Sequence, residues 1–200
     1  MTIRAVFFDL GGVILRTEQP APRTNLARSL GLTYAEIDKL VFENDSSRQA
    51  SLGLISEDQH WHNVASVLNL PDERVDTLRT EFFAGDRLDL ELLELMRSLR
   101  PAVKVGLISN AWNGMRDWIT RQSFADAFDN MVISAEIGIA KPDARIYQRA
   151  MQNLQVLPHE SVFMDDTLRN VEAARKIGMQ AVHFQQPAQA IAELKALLAA

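Results

Sequence analysis

Asp9 ends the run Ile3-Arg4-Ala5-Val6-Phe7-Phe8 and is followed by Leu10, Gly11 and Gly12. A carboxylate at the tip of an apolar run is held rigidly yet faces solvent on one side. Three later segments end in groups that it could use: Ser109-Asn110, Lys141 ahead of Pro142, and the pair Asp165-Asp166. Neighbouring carboxylates repel, and a hard cation removes that penalty. Magnesium suits the set best, because it binds through one or two carboxylates, water and phosphate oxygens without a full protein cage. With its charge screened, Asp9 can attack phosphorus to give an aspartyl-phosphate that water then hydrolyses. Lys141 and the cation would hold the equatorial oxygens, where charge gathers in phosphoryl transfer. Ser109 and the amide of Asn110, expected to enter a helix, would donate hydrogen bonds to the same group.

Each of these residues needs a strand to carry it. Short β-branched and aromatic runs predict strands over 3–8, 103–108, 131–133, 162–164 and 181–184, the last four alternating with helical patterns. That alternation implies an α/β fold, a doubly wound, mainly parallel five-stranded Rossmann-like sheet. Ligands of such a sheet bind outside the carboxyl ends of its strands, so the four groups should converge. The link from the first strand to the second exceeds the roughly 30 residues of a βαβ unit. The expected division is therefore a core of residues 1–16 and 87–200 with a small helical-bundle cap over 17–86. Thr33 with Glu36 and Ser56 with Gln59 are capping boxes for cap helices. A helix is expected from near Asn113, Pro142 is expected in the first turn of the next one, and one of Asp165 and Asp166 is expected to cap the helix after it. His60 and His62 flank the inward Trp61 and are expected in solvent. Trp112 reads as packing.

Composition narrows the function classes. Of 200 residues 47% are apolar, and 26 acidic against 21 basic side chains give a net charge of −5. With no basic run, neither nucleic acid nor an anionic membrane is an expected partner. The chain lacks cysteine, which excludes disulfides and thiolate chemistry. Arg4, Asp9 and the glycines interrupt the first apolar run, so it is not read as a signal peptide, and a cytoplasmic monomer or homodimer is expected. The expected partner is a small phosphorylated metabolite.

The four motifs, with a helical insertion after the first, resemble the haloacid dehalogenase superfamily over the whole chain. The resemblance implies that Asp9 is the nucleophile, that Ser109 and Lys141 are catalytic and bind phosphate together with Asn110, and that Asp9, the Gly11 carbonyl and Asp166 hold the metal. Asp165 and Asn170 would then stand behind these ligands. The wording Ile108-Ser109-Asn110, Lys141-Pro142-Asp143 and Phe163-Met164-Asp165-Asp166 is most similar to bacterial glucose-1-phosphate-type phosphatases and to the N-terminal phosphatase of soluble epoxide hydrolases. In one position the chain departs from the pattern: Gly11 stands where family phosphatases carry a general-acid aspartate. Two other readings stay open, a metal-free 2-haloacid dehalogenase and a catalytically silent binding protein of the same fold.

Overall fold

The computed structural model describes residues 2–200; Met1, the first residue of the expected core segment, lies outside them. Strand β1 (Ala5–Phe8) is followed by β2 (Leu15–Thr17), the helices α1 (Ala21–Ser29), α2 (Tyr34–Phe42), α3 (Asp45–Ser51), α4 (Glu57–Val67) and α5 (Val75–Phe83), and then β3 (Asp86–Leu88). The remainder runs α6 (Leu90–Leu99), β4 (Lys104–Ser109), α7 (Met115–Arg121), β5 (Asn130–Ile133), α8 (Ser134–Ile137), α9 (Ala144–Leu154), β6 (Ser161–Asp165), α10 (Leu168–Lys176), β7 (Gln180–His183) and α11 (Pro187–Ala199).

Five strands form one parallel sheet in the order β5-β4-β1-β6-β7, as the alternation predicts. Its centre is β1. Val6 and Phe8 face one core layer, shared with Leu107 and Met164 and closed by Leu92 and Met96 of α6 and Leu194 of α11. Ala5 and Phe7 face the opposite layer, closed by Ile146 and Tyr147 of α9 and Val171 of α10. Burying a side chain such as Phe7 contributes about 1.5–3 kcal/mol. A slip of one residue would turn both sets over, so burial fixes the register. Phe8 consequently lies level with Leu107 and Met164, so Asp9, Ser109 and Asp165 come at the carboxyl ends of three adjacent strands.

Helices α1 to α5 gather a cluster of their own, in which Leu26, Ile37, Val41, Trp61, Val64, Leu78 and Phe82 are buried. Both capping boxes form, Thr33 with Glu36 and Ser56 with Gln59. Where the chain leaves and rejoins the sheet, β2 and β3 pair as an antiparallel ribbon with Arg16 opposite Arg87. The strand character of β3 escaped the periodicity, because a three-residue, half-exposed strand shows almost no alternation. Three local expectations fail. Helix α7 begins at Met115 behind a left-handed Gly114, so Asn110 is not at a helix entrance. Pro142 precedes the N-cap residue Asp143 of α9 instead of lying in its first turn. Neither Asp165 nor Asp166 caps α10, whose N-cap position is Thr167. Among the described residues no helix is long and apolar enough to cross a membrane.

Candidate active site

Asp9 leaves β1 with its amide donating to the Met164 carbonyl of β6 at 2.9 Å, which carries the strand pairing one residue further. Its Oδ1 accepts from the Leu10 amide at 2.7 Å. Lys141 Nζ sits between two carboxylates, 2.7 Å from Asp9 Oδ1 and 2.6 Å from Asp165 Oδ2. All three residues are buried, at 8%, 5% and 0% exposure for Asp9, Lys141 and Asp165. Asp165 is held from every side. The Thr167 amide donates to its Oδ1 at 2.8 Å, and Asn170 Nδ2 lies 3.1 Å from both of its oxygens. Tyr147 in turn donates its hydroxyl to the Asn170 carbonyl at 3.1 Å. Asp166 is exposed by contrast, and among the described residues only the Thr167 hydroxyl reaches its carboxylate, at 3.3 Å.

One oxygen from each of Asp9, Asp165 and Asp166 lies within 4.8 Å of the others. Three carboxylates thus face a single ammonium. Burial pushes the Asp9 carboxyl up to about 7; Lys141 pulls it down, while Asp165 and Asp166 push it further up. The Lys141 ammonium is also buried, which works against its charge, but Asp9 and Asp165 outweigh that and hold its pKa above the ordinary lysine value. A carboxyl that titrates near neutrality is only partly ionised there, and only its ionised form is a nucleophile. A hard dication among these oxygens would relieve the repulsion and keep Asp9 ionised. The donor set fits such an ion, because it is all oxygen and Asp166 is left largely free to turn toward it.

Gly12 shapes this arrangement directly. Its φ is +76°, and a Cβ there would stand 2.1 Å from Asp166 Oδ2. Gly12→Ala is expected to cost about 1–2 kcal/mol in stability for the left-handed backbone and to push Asp166 away. A magnesium titration followed by activity should show a half-saturation at least about tenfold higher, the equivalent of about 1.4 kcal/mol. An unchanged half-saturation would remove Asp166 from the ion's environment.

The wall of the site next to Lys141 is built from β4 and its loop. Ser109 ends β4 and is buried. The Asn110 side chain is spent elsewhere: its Nδ2 donates to the Lys141 carbonyl at 2.9 Å and its Oδ1 accepts from the Lys141 amide at 2.7 Å. This double strap fixes the backbone that carries Lys141 and leaves only the Asn110 main-chain amide for a ligand. The Ser134 hydroxyl braces the same loop, accepting from the Ala111 amide at 3.1 Å and donating to its carbonyl at 3.2 Å. Neither role was foreseen. A serine at the end of a strand carries no local sign of the loop it meets 23 residues away. Trp112 packs, as expected, although into the cluster of α1 to α5 and not into the sheet core. His60 contradicts the expectation of exposure. It is fully buried, with its ring 4.5 Å from that of Trp112 and its Nδ1 2.8 Å from Ser46 Oγ. Burial drives its pKa down to about 4, so it is a neutral packing residue apart from the carboxylates. The inward stripe of α4 takes in His60 as well as Trp61, because α3, α5 and Trp112 all close on it, while His62 keeps 43% of its side chain exposed.

A family model described as haloacid dehalogenase-like hydrolase matches residues 3–178. Across 98% of its length the chain is 26% identical to a sesquiterpene phosphatase of Aspergillus oryzae, of which it covers 97%. It is 23% identical to a D-ribitol-5-phosphate phosphatase of Bacteroides thetaiotaomicron over 98% of both chains. Among solved structures, a HAD family enzyme of Bacteroides thetaiotaomicron in complex with magnesium and inorganic phosphate superposes with a TM-score of 0.72 at 20% identity, covering 90% of this chain and 93% of that one.

Proposed function

The chain belongs to the haloacid dehalogenase-like hydrolase family, and from that premise we propose that it is a magnesium-dependent phosphatase of small phosphomonoesters, acting through an aspartyl-phosphate on Asp9. The observation that carries this reading is the buried Asp9–Lys141–Asp165 arrangement with Asp166 beside it. Residues 17–86 are taken as a cap over a core of 1–16 and 87–200.

In this reading Asp9, Asp166 and the Gly11 carbonyl hold the ion, which supplies charge neutralisation for the phosphate and for Asp9. Asp165 is saturated by Lys141, Asn170 and Thr167, and its part is to aim Lys141. Lys141 binds the transferring oxygens, and Ser109 with the Asn110 amide donates to the same group. Asp9 Oδ2 forms the bond to phosphorus as the bond to the leaving oxygen breaks and solvent water protonates that oxygen; a second water then cleaves the acyl phosphate, releasing phosphate and returning the carboxylate. A metal-free dehalogenase is disfavoured, because a 2-haloacid would enter beside three carboxylates balanced by one lysine.

Phosphate release from a panel of monoesters tests the proposal. Turnover should require magnesium and stop with a chelator, and magnesium should raise the unfolding midpoint, since an ion that binds only the folded state stabilises it. Turnover that is indifferent to chelation, or halide release in its absence, would overturn it.

Gly11 offers no side chain to protonate the leaving oxygen. A Cβ there would meet nothing within 4 Å, so a side chain can start from this position without a clash. General acids contribute about 10²–10⁴-fold, most where the leaving group is poor. Gly11→Asp should therefore raise turnover of alkyl phosphates well above any change for aryl phosphates. Equal changes for both classes would count against this account of the position.

A further inference from the structure

Beside the carboxylates, a cavity of about 630 Å³ opens between β2 and the loop after β7, bordered by Arg16, Glu18, Asp166, His183 and Gln185 among others. The volume lies within the roughly 300–1,000 Å³ of small-molecule sites. Resting on the phosphatase reading, we infer that this cavity receives the alcohol part of the substrate, and that the alcohol is a short polyhydroxylated one, not a long hydrocarbon.

Asp166 joins the two places, sharing the carboxylate cluster with Asp9 and bordering the cavity. An ester whose phosphorus faces Asp9 thus has its organic part beside Asp166. The walls there are polar, with Arg16 set against Glu18 and Asp166. Arg16 is locked in place, its Nε and Nη2 on Glu18 Oε1 at 2.9 and 2.8 Å and its Nη1 on Asp89 Oδ2 at 2.7 Å. Its guanidinium lies 5.6 Å over the ring of Phe184, which is buried beneath it. An arginine so engaged does not offer a second anion site, which speaks against a diphosphate or a second carboxylate on the substrate.

What the walls do offer is acceptors. His183 Nε2 lies 2.9 Å from the Asp166 carbonyl, which can only accept, so Nε2 is the donor and Nδ1, in that tautomer, is left as an acceptor. Glu18 Oε2 has no hydrogen-bond partner among the described residues, and the Gln185 amide is exposed at the rim. Hydroxyl groups of a polyol can donate to each of these. A prenyl chain in the same space would strip water from Arg16, Glu18 and Asp166 without replacing the lost hydrogen bonds.

The test compares kcat/KM, with magnesium, for a pentitol monophosphate, farnesyl monophosphate and p-nitrophenyl phosphate in the wild-type protein, in Gln185→Ala and in Glu18→Gln/Gln185→Ala. Both positions are exposed, and thermal unfolding checks that each variant folds. The pentitol ester should be preferred over the farnesyl ester by at least about tenfold, the scale of one hydrogen bond to a charged group. The ratio of pentitol to p-nitrophenyl ester should fall by about tenfold in the double variant, with the single variant between. Preference for the farnesyl ester, or a ratio that stays constant across the variants, would overturn the subsite while leaving the phosphatase reading intact. No release from any of the three esters would overturn both.

Discussion

Asp9→Asn is expected to abolish turnover, by about 10⁴-fold or more, as loss of a covalent nucleophile does elsewhere, while the protein stays folded. The substitution is nearly isosteric. An asparagine Oδ1 can still accept from the Leu10 amide at the 2.7 Å position and face Lys141. One of three mutually repelling carboxylates disappears, and burial already opposes the charge of Asp9, so the fold loses little. Turnover measured alongside a thermal unfolding curve separates chemistry from folding. Rapid acid quench of the wild-type enzyme with labelled substrate should leave phosphate bound to the protein, and the variant should carry none. Turnover within tenfold of the wild type would remove Asp9 as the nucleophile.

Lys141→Met is expected to damage both activity and stability. The ammonium stands at 2.7 and 2.6 Å from two carboxylates, and the side chain is 1% exposed. Removing one partner of a buried ionic group leaves the others uncompensated, at a cost of about 3–5 kcal/mol. In magnesium-free buffer near neutrality the denaturation free energy should fall by that order. The sign with pH follows from Asp9, whose folded pKa is raised to about 7 by burial, with Lys141 lowering it. Without the lysine, Asp9 protonates still more readily, so the stability deficit should shrink as pH falls from neutrality toward 5. The double variant Lys141→Met/Asp165→Asn should regain part of the stability at neutral pH. It should regain none of the activity, because the lost donor to the phosphoryl oxygens is worth about 10²–10³-fold by itself. If Lys141→Met were as stable as the wild type at neutral pH, the ion pairs would carry no net weight.

Much of this was legible in the chain. Burial on both faces writes a parallel strand as a short apolar run, so the ends of β1, β4 and β6 could be read, and with them Asp9, Ser109 and Asp165-Asp166. The side-chain caps at Thr33 and Ser56 are local interactions spanning three residues, and they form as read. Lys141 had no such signal; only its place in a four-part pattern singled it out, because an isolated lysine looks like surface.

The amino-acid order by itself determined which strands make the five-stranded sheet, that these run parallel, and which residue types gather at their carboxyl ends. Tertiary structure alone decided the division of labour within that edge. It made Asp165 the saturated partner of Lys141 and left Asp166 open, turned the Asn110 side chain into a strap on Lys141, and buried His60 beneath Trp112. Those outcomes depend on distances between residues 24 to 52 positions apart or on which neighbour claims a hydrogen bond first, and periodicity carries no information about either.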